Sequence, residues 1–398
     1  MTTTDLRWDP FDHALHQEPY GVWRRLRDEA PVYRNEEYNF YALSRFDDVM
    51  EASLDTETFS SEHGVTLDAI TDEPCPPPKP MIFMDPPDHT ALRKMVNRTF
   101  FRTKVAVLED RIRSLCRGYL DKFVGADGFD YVRDFSMKLP VMVISSLLGF
   151  PESDHDNLRE WSDAQLHREE GSTQLSEDGR EANTKLLSYY AEQIQQRRIA
   201  PTDDIVGNLM AADLVQPGRE TRRLDDGEVL MFIAMINVAG NETVARLLGW
   251  AALTLARCPD QRAKLVANTQ LIAGAVEELL RYDAPSPVQG RYTTRDATYH
   301  GTVIPAGSRV ALLTGSAGRD ERQYENPDVF DVERTGIRHI SFGHGSHFCL
   351  GAALARLEAR VALEETLARF PTWDVDEDAV TYVHTNSVRG PASVPIRL

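Results

Sequence analysis

The sequence is short of positive charge, of cysteine and of long apolar runs. Its 62 acidic residues outnumber 44 basic ones, giving a formal net charge of -18. A nucleic-acid or anionic-membrane binder would present the opposite sign, so neither partner is expected. Only four cysteines occur, Cys75, Cys116, Cys258 and Cys349. Their wide spacing argues against a disulfide framework and for a reducing compartment, the cytoplasm. The longest oily segments, LPVMVISSLLGF and VLMFIAMINVAG, run about a dozen residues, whereas a membrane-spanning helix needs roughly 20. No membrane anchor is therefore expected. The N-terminal MTTTDLRWDPFDHALHQEPY lacks the apolar centre of a signal peptide. No internal repeat or long low-complexity tract is found. What remains is an ordinary globular composition, 42% hydrophobic and 27% charged over 398 residues.

Local patterning predicts a mainly α fold with a minor β part. PYGVWRRLRDEA reads as helix, and PVYRN and NFYALS as short strands. TDEPCPPPKP, with its prolines from Pro74 to Pro80, reads as a loop, because proline fixes φ and removes a donor. From Asp88 to about Phe370 the pattern is mostly helical. EEGSTQLSED, which splits two charged helices, is expected to be a mobile surface loop. ATYHGTVIPAGSRVALLTGSA is rich in valine and threonine, with turn signals at His300-Gly301 and Ala306-Gly307, and reads as a short hairpin. Short strands and turns follow Trp373. The chain is read as one domain, 1–398.

One segment, LDDGEVLMFIAMINVAGNETVARLLGWAALTLARCPD, predicts a long central helix capped by Asp225 or Asp226. About thirty residues would measure ~45 Å. Its first half is oily nearly all round and should be buried. In its middle stand Ala239, Gly240, Asn241, Glu242 and Thr243. A mid-helix glycine is unfavourable by up to about 1 kcal/mol, and an unpaired buried carboxylate by several. Small residues followed by an acid and an alcohol predict a helix opened locally beside a ligand.

A second segment, HISFGHGSHFCLGAALAR (339–356), combines three glycines, three histidines and a cysteine just before a helix. A dinucleotide loop needs a third glycine where Phe348 stands, which removes that reading. Zinc is disfavoured because Cys349 has no ligand partner at the usual paired spacing. The third reading is a haem-thiolate bed. A cysteine ahead of a helix near Gly351 gains from backbone N–H groups and the helix dipole, which lower a thiol pKa. Glycines let the backbone approach a flat macrocycle.

FGHGSHFCLG resembles the cysteine-ligand signature of the cytochrome P-450 family, F-x-x-G-x-[HR]-x-C-x-G. Phe342, Gly345, His347, Cys349 and Gly351 match it. DPPDHTALRKMVNRTF resembles that family's propionate-binding helix with His-x-x-x-Arg, AGNET its oxygen-activation motif, and EELLR its E-x-x-R pair. The resemblance covers the chain from about Pro19 onward and is to the soluble bacterial type.

It implies haem b as cofactor, a long central helix over the haem and the cysteine loop beneath it. Cys349 would be the iron ligand, with Phe342, Gly351, Ala239 and Gly240 against the macrocycle. His89, Arg93, Arg291 and His347 would hold the propionates, and Val96 and Phe100 would share the haem-facing side of their helix. Glu278, Arg281 and Arg334 would form a buried structural network. Thr243 and Glu242 would relay protons to dioxygen. Phe232, Met235, Ile236, Ala239 and Thr243 share one helix face and are expected to line the substrate pocket. Val288 and Gln289 would join them by position, as would Val65, Leu67, Met81, Phe83 and residues 386–388.

The implied activity is monooxygenation of a hydrophobic small molecule, of fatty acid, terpenoid, steroid or polyketide type, by a monomer. Electrons would come from a ferredoxin and its reductase. Lys94, Arg98 and Arg102, with Arg356 and Arg360, would form a basic docking patch. The alternatives are a haem-thiolate enzyme that couples, desaturates or isomerises, and a non-catalytic haem sensor or ligand-binding protein.

Overall fold

The computed structural model describes residues 6–100, 108–166, 176–383 and 387–398, apart from the side chains of residues 98, 99, 100 and 163. Most of EEGSTQLSED, Arg102 and Asn386, together with the side chains of Arg98 and Phe100, therefore lie outside the described residues.

The helices are α1 (His13–Gln17), α2 (Tyr20–Glu29), α3 (Phe46–Leu54), α4 (Asp88–Phe100), α5 (Glu109–Leu120), α6 (Lys138–Leu147) and α7 (His155–Leu166). They continue with α8 (Glu177–Ile199), α9 (Ile205–Ala211), α10 (Asp226–Arg257), α11 (Pro259–Ala267), α12 (Ile272–Tyr282), α13 (Thr314–Ala317) and α14 (Ala352–Arg369). β1 (Val32–Asn35), β2 (Phe40–Leu43), β3 (Phe59–Ser60), β5 (Gln289–Thr293) and β8 (Arg309–Leu312) form a sheet of order β1-β2-β8-β5-β3. β4 (Gly128–Asp130), β9 (Asp374–Val375) and β12 (Pro395–Arg397) form a second sheet. β6 (Ala297–Tyr299) and β7 (Thr302–Ile304) make a hairpin, and β10 (Thr381–Tyr382) pairs with β11 (Pro391–Ser393). The expected hairpin is thus β6–β7. Its turn residues His300 and Gly301 both take positive φ, as a tight two-residue turn requires. β8 leaves it to pair in parallel with β2 and antiparallel with β5.

α10 is the organising element. Asp225 caps it through a complete capping box with Glu228. It spans 32 residues, and by length and composition it could cross a bilayer, which the run lengths alone did not suggest. In the fold it is enclosed by α6, α8 and α14 and buries Asn237, Asn241, Glu242 and Arg246 along with its apolar residues. It remains α-helical through Gly240, so the expected local opening is not found. Glycine is needed there for packing. A Cβ at Gly240 would sit 2.8 Å from Ile144 Cδ1 of α6.

α12 carries the deepest ion pair. Glu278 and Arg281 are both fully inaccessible and joined by two 2.7 Å hydrogen bonds. Arg281 also donates to the carbonyls of Gly318 and Pro327. Arg334 reaches Glu278 at 3.2 Å. Helix and loop 318–334 are thus tied at one point. Removing one partner of a buried pair typically costs about 3–5 kcal/mol, because the other charge is left uncompensated. Glu278→Ala should lose stability on that scale in chemical denaturation, whereas Glu325→Ala, which removes a nearby exposed carboxylate, should change little.

Candidate active site

A cavity of about 280 Å³ lies between α10 above and the segment 341–358 below. Met235, Ile236, Ala239, Gly240 and Thr243 form its α10 wall. Phe342, His347, Cys349 and Gly351 form its floor, and His89 and Arg93 of α4 and Gln289 of β5 close its edge. Sequence reasoning missed Ile144 and Leu147 of α6, Leu280 and Pro285 near the end of α12, and Glu358 of α14. The first four are ordinary apolar positions with no motif to mark them.

The cysteine loop is shaped by its own backbone. Cys349 N–H donates to Phe342 O at 2.8 Å, and Ser341 Oγ donates to Leu280 O at 2.6 Å. Gly343 and Gly345 take φ of 69° and 71°, a left-handed region where other residues are strained. A Cβ on Gly345 would also stand 2.9 Å from Ser53 O. The thiol faces opposed effects. Burial pushes the Cys349 pKa up, while the N–H groups of Gly351 and Ala352 and the charges of Arg93 and Arg356 pull it down. The net direction is upward, against the expectation from the helix terminus. Desolvation outweighs the N–H groups and the nearby cations.

Donors gather at the cavity edge without an anion to receive them. His89 and His347 lie with ring centroids 4.2 Å apart. His89 Nδ1 and His347 Nε2 are buried and have no hydrogen-bond partner among the described residues. Burial, then Arg93, lowers the His89 pKa to about 4. Burial, then Arg291, His89 and Arg93, lowers that of His347 to about 3. Arg93 donates to Phe348 O at 2.6 Å. Arg291 is buried, acts on His347 through its charge and donates to Gly290 O at 2.7 Å, but it does not belong to the described cavity wall. Buried donors without acceptors are costly, and this cluster suits the carboxylates of a bound anionic group. With a thiol below and apolar α10 above, it fits a haem carrying two propionates.

Several expected positions fall elsewhere. Phe232 is 2% exposed in the main core, and Val96 is fully buried there, because each turns away from the cavity into helix packing. Val288 and Leu67 pack in a separate cluster with Trp8 and Trp23. Val65 and Phe83 are half-buried, and neither they nor Val388, whose carbonyl meets His16 Nε2, belong to the described cavity wall. Glu242 is buried beside Thr243 but likewise off that wall. Thr243 Oγ1 lines the cavity and donates to Ala239 O at 2.9 Å, the local bond open to a mid-helix threonine. Arg356 and Arg360 do not form a bare basic face. Arg356 is paired with Glu277, and Arg360 with Glu109 and Glu364.

Residues 172–388 match the family described as "Cytochrome P450". A putative cytochrome P450 123 of Mycobacterium tuberculosis is 41% identical over 98% of this chain and 97% of its own length. The chain belongs to the cytochrome P450 family. It is accordingly a monooxygenase that binds haem b. A vitamin D(3) 25-hydroxylase of Pseudonocardia autotrophica is 35% identical over 100% of this chain and 98% of its own. Among solved structures, the cytochrome P450 CYP109E1 of Bacillus megaterium in complex with corticosterone superposes with a TM-score of 0.85 at 30% identity, covering 96% of this chain and 99% of that one.

Two predictions follow from the P450 site's electrostatics. Arg93→Ala and Arg291→Ala should each weaken haem retention by about 1–3 kcal/mol, read as faster haem transfer to an acceptor protein. Unchanged transfer in the double variant would remove both from the site. The second concerns Glu277, which braces the loop. It bonds Arg356 at 2.7 Å and His339 at 3.1 Å, and Arg356 lies 4.6 Å over the Phe342 ring. Burial alone would raise its pKa, but His339 and Arg356 hold it at about 2, below the ordinary 4.5. A depressed carboxylate stabilises the fold above its unfolded pKa and loses that contribution as pH falls. The stability gap between wild type and Glu277→Gln should be full at neutral pH, on the order of 1–3 kcal/mol after allowing for partial exposure. It should shrink as pH drops from 4.5 toward about 2.

Proposed function

We propose that this P450 hydroxylates a hydrophobic small molecule of steroid-like size, with Cys349 as the iron ligand and Thr243 and Glu242 managing protons. The observation that carries the reading is the cavity itself, in which Thr243 of the apolar α10 wall faces the cysteine loop. Support for the substrate class comes from relatives named for vitamin D(3) hydroxylation and solved with corticosterone. Met235, Ile236, Ile144 and Leu147 would hold such a molecule by apolar contact and exclude water. Haem iron supplies dioxygen activation when bound. The chain's part is to place the Thr243 hydroxyl where a proton is required, with Glu242, one residue away in α10, as the acid that replenishes it. Residues 1–398 act as one monomeric unit in the cytoplasm, consistent with four free cysteines. A ferredoxin, served by its reductase, would approach where Phe348 is 40% exposed beside Cys349 and Lys94 is exposed next to Arg93.

Positioned general acid–base groups typically contribute about 10²–10⁴-fold. Thr243→Ala should keep haem and substrate binding yet divert reducing equivalents into hydrogen peroxide, while Thr243→Ser, which keeps the hydroxyl, should be milder. The measurement is nicotinamide cofactor consumed against product and peroxide formed, with a steroid that shifts the haem spin state and a surrogate ferredoxin chain. Unchanged coupling in the alanine variant would place the proton route elsewhere. A wild type that binds such ligands without consuming dioxygen would indicate a binding protein instead.

A further inference from the structure

Among the described residues, three that carry an aliphatic hydroxyl line the cavity, Thr243, Ser286 and Ser341, and they are not equivalent. Thr243 Oγ1 donates to Ala239 O at 2.9 Å and Ser341 Oγ to Leu280 O at 2.6 Å, so both protons are engaged within the protein. Ser286 lies between α12 and β5 and is half-buried. Its hydroxyl has no hydrogen-bond partner among the described residues.

The backbone around Ser286 is held on both sides. Pro285 O accepts from the Arg389 N–H at 2.8 Å, Ser286 O from Thr314 Oγ1 at 3.0 Å, and Pro287 O from the Gly315 N–H at 3.0 Å. The two prolines fix their own φ. Arg389 is itself anchored to Asp283 at 2.9 Å. A Cβ on Gly315 would stand 2.6 Å from Pro287 Cβ, so that close approach needs glycine. Three successive carbonyls are therefore engaged, and the Ser286 hydroxyl is the open side-chain group of a rigid wall segment. A hydroxyl half withdrawn from water, with no acceptor for its proton, is unfavourable until a ligand oxygen supplies one.

The rest of the wall indicates what carries that oxygen. Met235, Ile236, Ile144 and Leu147 offer apolar contact alone. The lining cation Arg93 is turned to Phe348 O of the cysteine loop. Gln289 lies by the same loop, since a Cβ on Gly343 would stand 3.3 Å from its Nε2. The lining residues of the Ser286 segment, Pro285, Ser286 and Gln289, include no cation. A neutral oxygen suits that wall better than a carboxylate, which would be desolvated without a counter-charge. We propose that Ser286 is a specificity-determining residue, whose hydroxyl selects ligands that carry a neutral carbonyl or hydroxyl oxygen on an otherwise apolar body. The inference rests on the steroid-sized ligand proposed above and adds the polar contact that such a ligand would make.

The test measures binding to the haem-loaded enzyme by equilibrium dialysis, with the haem spin state followed alongside. The ligands are testosterone, its analogue lacking the ketone oxygen and its analogue lacking the hydroxyl. The proteins are wild type, Ser286→Ala and Ser286→Thr, which keeps a hydroxyl. For one of the two analogues, the ratio of its Kd to that of testosterone should be about three- to tenfold higher in wild type than in Ser286→Ala, the scale of one neutral hydrogen bond. Ser286→Thr should keep the wild-type ratio. A wall merely loosened by the substitution would weaken all three ligands together and leave the ratios unchanged. Should Ser286→Ala lose haem, Ser286→Cys, close in size but a weak donor, gives the same comparison. Ratios equal in wild type and Ser286→Ala for both analogues overturn this proposal alone. A wild type that binds none of the three overturns the steroid-sized reading and this proposal together.

Discussion

A guanidinium sealed from water must find acceptors for its donors, and Arg281 finds them in Glu278, Gly318 and Pro327 at once. That single side chain ties the end of α12 to the backbone between α13 and the cysteine loop. Arg334 closes the same network by bonding Glu278 and the carbonyls of Glu325 and Asn326. The long irregular stretch before the loop therefore has a fixed origin in α12. The residue beside Glu278 on that helix is Glu277, whose grip on Arg356 and His339 reaches the aromatic floor of the cavity. Buried pairs contribute little net stability against apolar packing, but they penalise every arrangement that separates them. Here that penalty sets where a loop without regular structure must lie.

The cavity is built with a polarity that anticipates its occupant. His89, His347 and Arg93 crowd one edge, and burial, with the charges of Arg93 and of Arg291 nearby, pushes the two imidazoles toward the neutral form. An anion at that edge would satisfy donors that the protein leaves open. Below, the Cys349 thiol resists ionisation through desolvation, despite two backbone N–H groups directed at it. A metal cation above the sulfur would reverse that balance, since a coordinated thiol loses its proton. Both features tie cofactor binding to the stability of the surrounding loops.

Acids are placed at three depths around this site, each with a different environment. Glu277 is partly exposed and held ionised by its bonds to His339 and Arg356. Glu242 is buried in α10 beside Thr243. Glu358 is buried on α14, and its Oε2 is inaccessible and has no hydrogen-bond partner among the described residues. Surroundings, more than residue type, set the state of each acid.

The amino-acid sequence by itself determined the helical character, the capped central helix, the β6–β7 hairpin and the residues of the cysteine loop. Those features rest on local signals: capping side chains, glycines at positive φ, and ligand spacing within one turn. Motif order also carried the family, because Phe342, His347, Cys349 and Gly351 stand close together in the chain. What local pattern could not decide was which face of α10 meets the cavity. Phe232 and Ile236 share a helical face, yet Phe232 enters the core and Ile236 lines the site, a difference that depends on the neighbours packed against each turn. Charge fared likewise. Arg356 and Arg360 read as a free basic face until α12 and α5 brought Glu277 and Glu109 against them. Glu358 belongs to no motif, and only the packing of α14 buries it at the cavity. Burial and pairing depend on contacts distant in sequence, and those belong to the tertiary structure.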